Sequence, residues 1–235
     1  MDIQQLINFD QELLLKMNGS DSLFWDGFMW IATSTYIWIP VAIALLYVIV
    51  KNNKIQEALM IIAMIALAIT LADQISSGFC KPFFARFRPT QDPELMYQID
   101  IVNGYRGGKY GFISSHAANT FAVAIFLSLL IKNWSLALIL LIWATLNAFS
   151  RIYLGVHYPG DIIFGTLVGI GVGIIIFLLF NYLQKRIFKQ PRYISNQYTP
   201  SGYLINDIQL LQTVMYITFF TIIILGMLIT VYFYF

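Results

Sequence analysis

Charge is what this sequence has least of: Asp, Glu, Lys and Arg make up 11% of its 235 residues, against 59% hydrophobic and 16% aromatic. That balance excludes an ordinary soluble domain and a disordered chain, and it reads as an integral membrane protein. With a net charge of only +2 and basic residues in short scattered clusters, no nucleic-acid partner is expected. A single cysteine, Cys80, rules out an intramolecular disulfide and reads as a small apolar filler, so cysteine usage leaves the compartment open. Residues 1–20 lack the basic start, apolar stretch and small-residue cleavage site of a secretory signal, which leaves targeting to the first membrane span.

What is present is a series of apolar runs. Asp2 can cap a short helix in which Ile3, Leu6, Ile7, Leu13, Leu14 and Met17 recur at helical spacing. This segment, 1–20, is too polar to span; it is expected to lie along the interface or to dock on a bundle. About 20 apolar residues cross a bilayer, and six runs follow, at about 28–50, 58–79, 117–131, 134–149, 161–183 and 213–235. The first carries Pro40 as an expected kink, and the fifth carries Gly165, Gly169, Gly171 and Gly173 for close helix contact. Lys132 and Asn133 alone join the third and fourth, which makes them an antiparallel hairpin. Residues 82–112 form a long loop broken by Pro and Gly. Lys185, Arg186, Lys189 and Arg192 mark a basic boundary, and Tyr232 to Phe235 suit an interface belt. The expected fold is an all-α polytopic bundle of about six transmembrane helices plus an N-terminal amphipathic helix, with residues 21–235 as one domain, a motif core at 81–161 and the last span as an extension.

Three polar clusters sit at run edges, where ionisable groups are costly and are usually functional: KPFFARFRP from Lys81, ISSHAANTF with Ser114, Ser115 and His116, and SRIYLGVHYPGD from Ser150 to Asp161. Because successive spans alternate in direction, all three fall on one side of the membrane. Each side carries seven basic residues; discounting Lys81, Arg88 and Arg151 as functional leaves four against seven. The positive-inside rule then puts the clusters, and both termini, outside the cytoplasm.

Lys81, Arg88 and Arg151 together make a cationic pocket suited to phosphate, because Arg offers forked donors that match its oxygens. Ser114 adds a hydroxyl where a helix begins, an anion-friendly position. His116 and His157 can supply a nucleophile and a proton donor, and Asp161 can fix the tautomer of one imidazole. Taken singly, basic residues at span edges snorkel, a lone histidine is structural, and Asp73 makes local hydrogen bonds; joint placement on one side outweighs those readings. Two histidines and an aspartate could hold a metal, but the neighbouring cations repel one, so neither metal nor cofactor is expected. A non-enzymatic anion- or lipid-binding membrane protein or transporter is the alternative.

These residues resemble the type 2 phosphatidic acid phosphatase (PAP2) superfamily, whose signature is K-x6-R-P, P-S-G-H and S-R-x5-H-x3-D. Lys81 to Pro89 fit the first motif and Ser150 to Asp161 the third; in the second, Ser114 and His116 match while Ile113 and Ser115 replace the proline and glycine. The resemblance covers residues 58–183. It implies a bacterial membrane lipid phosphatase in which His157 forms a phosphohistidine, Asp161 orients it and His116 protonates the leaving group. Lys81, Arg88, Ser114, Ser115 and Arg151 would bind phosphate. The substrate would be a lipid A phosphate, undecaprenyl pyrophosphate, phosphatidylglycerol phosphate or phosphatidic acid in the inner membrane, reached from the periplasmic side. Arg106, Lys109 and Tyr110 are candidates for contacts to a large headgroup.

Overall fold

The computed structural model describes residues 2–187 and 196–234, with side chains to Ile229. Lys189, Arg192, Phe235 and the side chains of Tyr232 to Tyr234 therefore lie outside the described residues. The helices are α1 (Ile3–Met17), α2 (Leu23–Thr33), α3 (Ile39–Asn52), α4 (Ile55–Asp73), α5 (Lys81–Phe84), α6 (Ser115–Ile131), α7 (Trp134–Tyr153), α8 (Pro159–Ile187) and α9 (Ile205–Tyr234). Among the described residues, strand pairing is limited to two isolated bridges, so the all-α bundle expected from the sequence is what forms. Five stretches are long and apolar enough to cross a membrane: Thr35–Asn52, Ile55–Phe84, Trp134–Tyr153, Pro159–Ile187 and Ile205–Ile229.

The sixth, α6, has 17 residues, about 26 Å at helical rise, and it is the hub of the bundle. Ala117, Ala118, Ala122, Ala124, Phe126, Leu127 and Ile131 are all sealed from solvent. Enclosed by α4, α7 and α8, it meets protein rather than lipid and need not match the bilayer thickness. The glycines of α8 make this possible. A Cβ at Gly165 would lie 2.5 Å from the Ser114 carbonyl oxygen, one at Gly169 2.5 Å from that of Ala118, and one at Gly173 2.8 Å from that of Ala122. The two helices thus run parallel in near backbone contact. Gly171 differs from expectation: it points to open space and takes no part in this contact.

The first apolar run is broken, but not at Pro40. Thr33, Ser34 and Thr35, whose side chains compete with helical backbone bonds, end α2; Ser34 is extended and Thr35–Trp38 form a 3-10 turn. The freed Ala32 carbonyl accepts the Trp38 indole N–H at 2.8 Å. Pro40 sits in the first turn of α3, where its missing N–H costs nothing. The second run is longer than expected, because a π-helical turn at Gln74–Cys80 carries α4 on into α5 and puts Lys81 inside the helix. The fourth also extends, so Ser150 and Arg151 lie in the last turn of α7.

At the end remote from the polar clusters, Asp207 holds Lys51 at 2.7 Å and Asn52 at 3.0 Å, pinning α9 to α3. At the near end, α1 is closed by a capping box between Asp2 and Gln5. It docks through Leu14, buried among Leu95, Ile99, Ile152 and Tyr158, while Ile3, Leu6 and Phe9 remain exposed.

Candidate active site

His157 lies in the turn between α7 and α8. That turn is closed by the Val156 and His157 N–H groups, both donated to the Arg151 carbonyl, at 3.1 and 3.2 Å. Gly155, at φ +67°, has no room for a Cβ against Ile99. Pro159 and Gly160 do not separate His157 from Asp161; they start α8, with Pro at its first position. Asp161 then falls at the third helical position, and its Oδ2 accepts the Tyr158 N–H at 3.1 Å, half of a capping box. The same oxygen stands 3.3 Å from His157 Nδ1, and both side chains are buried. Burial first, and then the charges of Arg88, Arg151 and Lys81, push the His157 imidazole well below its ordinary pKa.

The cations converge on this pair. Lys81 Nζ donates to Ser115 Oγ at 3.0 Å and to Ser77 Oγ at 2.8 Å; Ser77 donates in turn to Asp73, which gives Asp73 the local role anticipated for it. Arg88 is held by a short pairing of loop residues 86–88 with 109–111: its N–H donates to the Lys109 carbonyl at 3.0 Å and its Nε to the Tyr110 carbonyl at 3.1 Å. Gly107 and Gly111 line this pairing: a Cβ at Gly107 would strike the Arg88 guanidinium at 2.7 Å, and one at Gly111 would crowd Asp161 Oδ2 at 3.0 Å and Arg88 Cγ at 3.2 Å. Burial and then Arg151 push the Arg88 guanidinium down from its usual value. Arg151 is 3% exposed, donates to Thr33 Oγ1 at 3.1 Å and the Tyr105 hydroxyl at 3.0 Å, and its buried Nε has no partner. Among the described residues, none of Lys81, Arg88 and Arg151 forms an ion pair with a carboxylate.

Ser114, fully buried, caps α6, its Oγ accepting the Ala117 N–H and its own N–H donating to the Asp161 carbonyl at 3.0 Å. His116 follows in the first turn, within electrostatic reach of Arg151, His157, Arg88 and Lys81. Among the described residues, no three His, Cys, Asp or Glu side chains gather as a metal site needs. Arg106 and Lys109 are not drawn in. Both are exposed; Arg106 exchanges hydrogen bonds with Thr90, and Lys109 lies over the Phe87 and Tyr110 rings at 5.5 and 5.4 Å.

A cluster of cations beside a histidine–aspartate pair fits phosphoryl chemistry, and the family model that matches residues 57–185, more than half the chain, is that of the PAP2 superfamily. The protein belongs to the PAP2 superfamily. Two relatives are lipid A 4'-phosphatases. That of Bacteroides thetaiotaomicron is 41% identical over 187 residues, 79% of this chain and 83% of that protein. That of Porphyromonas gingivalis is 37% identical over 190 residues, 78% of each. An undecaprenyl-diphosphatase of Sulfolobus acidocaldarius is 30% identical over 169 residues, 71% of this chain and 76% of that protein. No solved structure matches. This PAP2 protein is a membrane-spanning hydrolase of phosphoric esters, and the non-enzymatic alternative gives way.

Sequence reasoning missed two site residues of this PAP2 protein. Arg86, which stands in the KPFFARFRP cluster but has no role of its own in the sequence reading, donates to Asp161 Oδ1 at 2.9 Å and to Asp10 Oδ2 at 2.7 Å, and stacks 3.9 Å over the Tyr158 ring. Asp10, on α1, also accepts the Gly160 N–H at 2.7 Å. The extra Arg two residues before Arg88 was visible; nothing in the pattern of α1 pointed to Asp10.

Proposed function

We propose that the protein is a metal-independent lipid phosphatase acting through a phosphohistidine at His157, with a lipid A phosphate as its favoured substrate. One observation carries this reading: buried Arg88 and Arg151 and half-buried Lys81, none with a carboxylate partner among the described residues, lie within electrostatic reach of a buried imidazole that stands beside Asp161. Repulsion among those cations disfavours a divalent metal and favours a phosphate dianion.

With Nδ1–H committed to Asp161, Nε2 is the free nucleophilic nitrogen. It attacks phosphorus, and the N–P bond forms as the bond to the lipid oxygen breaks. His116 gives that oxygen its proton. Asp161 offsets the positive charge that grows on the ring. Water then attacks phosphorus and passes its proton to His116. The P–N electron pair returns to the imidazole and inorganic phosphate leaves. Lys81, Arg88, Arg151 and Ser115 hold the phosphoryl oxygens, and Ser114 adds the positive end of α6.

Lipid A is favoured because two relatives that act on it share 41% and 37% of aligned residues, against 30% for the diphosphatase. The charge count supports an active face on the periplasmic side of a bacterial inner membrane.

The test is phosphate release by purified protein in one detergent, with EDTA, from lipid A, undecaprenyl pyrophosphate, phosphatidylglycerol phosphate and phosphatidic acid. Lipid A should be hydrolysed fastest, unaffected by EDTA. No release from any lipid, or release abolished by EDTA, overturns the reading.

A further inference from the structure

We propose that Asp10 of the N-terminal helix, acting through Arg86, is a positioning residue for the Asp161–His157 pair, so that α1 is part of the active site. The inference rests on the phosphatase reading above.

Arg86 bridges two carboxylates, one on each side: Nη1 to Asp161 Oδ1 at 2.9 Å and Nη2 to Asp10 Oδ2 at 2.7 Å. Asp10 is itself fixed, because its other oxygen accepts the N–H of Gly160 in the first turn of α8. Gly160 leaves room for this: a Cβ there would lie 2.8 Å from Asp10 Oδ2, so the carboxylate would have to shift. The carboxylate thus holds the start of α8, one residue before Asp161, and the guanidinium that holds Asp161. The geometry has an electrostatic consequence. A guanidinium shared between two carboxylates draws less on each than one attached to a single carboxylate. With Asp10 neutral, Arg86 leans on Asp161 alone, and Asp161 offsets less of the charge that develops on His157 as the N–P bond forms. That charge appears in the transition state, so the loss falls on kcat. Binding of the phosphate group, which rests on Lys81, Arg88 and Arg151, is not weakened by adding net positive charge nearby.

The experiment uses the full chain in detergent, with lipid A and phosphatidic acid as substrates. Asp10→Asn keeps the shape and removes the charge; kcat should fall about tenfold or more, the range for outer-shell partners of a functional imidazole, with KM unchanged or lower. Gly160→Ala, which displaces Asp10 without altering its charge, should reproduce the fall. Glu12→Gln, the same charge change on an exposed part of α1, should leave kcat at the wild-type value. In the double variant Asp10→Asn/Arg86→Gln, kcat should equal that of Arg86→Gln alone, because Asp10 acts through Arg86. A purely structural role predicts a raised KM and losses that multiply in the double variant; either result, or an Asp10→Asn kcat within twofold of wild type, overturns the proposal. Wild type that hydrolyses neither lipid overturns the phosphatase reading itself.

Discussion

His157 Nδ1 and Asp161 Oδ2 lie 3.3 Å apart, with 1% and 0% of their side chains open to solvent. An imidazole held this way cannot turn over or exchange tautomers freely. His157→Ala should therefore abolish both turnover and trapping of labelled phosphate on the protein. Asp161→Asn should keep the fold and lower kcat by about 10²–10⁴-fold, the cost of a wrong tautomer and a lost counter-charge. Labelled phosphate on His157→Ala would reassign the nucleophile.

The pH profile follows from the same pair. The attacking imidazole must be neutral, and burial together with Arg88, Arg151 and Lys81 lowers its pKa. Activity should persist as pH falls below the ordinary histidine value of about 6.5, and be lost only through the depressed pKa. Arg88→Gln removes one of those cations, so the acid limb of kcat/KM should move upward relative to wild type on the same substrate. A limb that stays put, or moves down, contradicts this assignment.

Helix contact can be probed apart from chemistry. Gly169→Ala drives a Cβ to 2.5 Å from the Ala118 carbonyl oxygen and should cost about 1–3 kcal/mol of stability in detergent. Gly171→Ala meets nothing within 4 Å and should be neutral or stabilising by up to about 1 kcal/mol. Thermal unfolding of both, side by side, checks the parallel α6–α8 contact.

Orientation is testable by labelling in intact cells with Cys80 replaced by serine. A cysteine at Tyr97, 86% exposed in the long loop, should react with a membrane-impermeant thiol reagent, while one at exposed Lys54 should not. The reverse pattern would put the active face in the cytoplasm.

For specificity, Arg106→Ala and Lys109→Ala should lower lipid A turnover and spare phosphatidic acid if the exposed loop reads a sugar headgroup. Equal effects on both lipids would remove the loop from specificity.

Much of this architecture was legible because membrane burial writes itself into composition. Six apolar runs, the Lys132–Asn133 hairpin and the glycines of α8 are local signals, and the three polar clusters stand out where charge is scarce. The break in the first span was harder. Pro40 drew attention away from Thr33–Ser34–Thr35, and only the structure shows Thr33 turned to Arg151. The π turn at Gln74–Cys80 leaves apolar periodicity intact and so gives no warning. Asp10 and Arg86 lie 76 positions apart, a pairing that no spacing rule carries.

The glycine-mediated seating of α8 on α6 also sets a schedule. Helices emerge from the ribosome in order, and Gly160 and Asp161 open the fifth crossing. Asp10, Arg86, Arg88 and Arg151 are already synthesised by then, yet nothing on the earlier chain can complete the histidine's support. On the proposed phosphohistidine mechanism, the nascent chain is therefore inert until α8 has packed against α6. A defect in that docking, such as a larger residue at Gly165, would leave a fully inserted protein that has never been an enzyme.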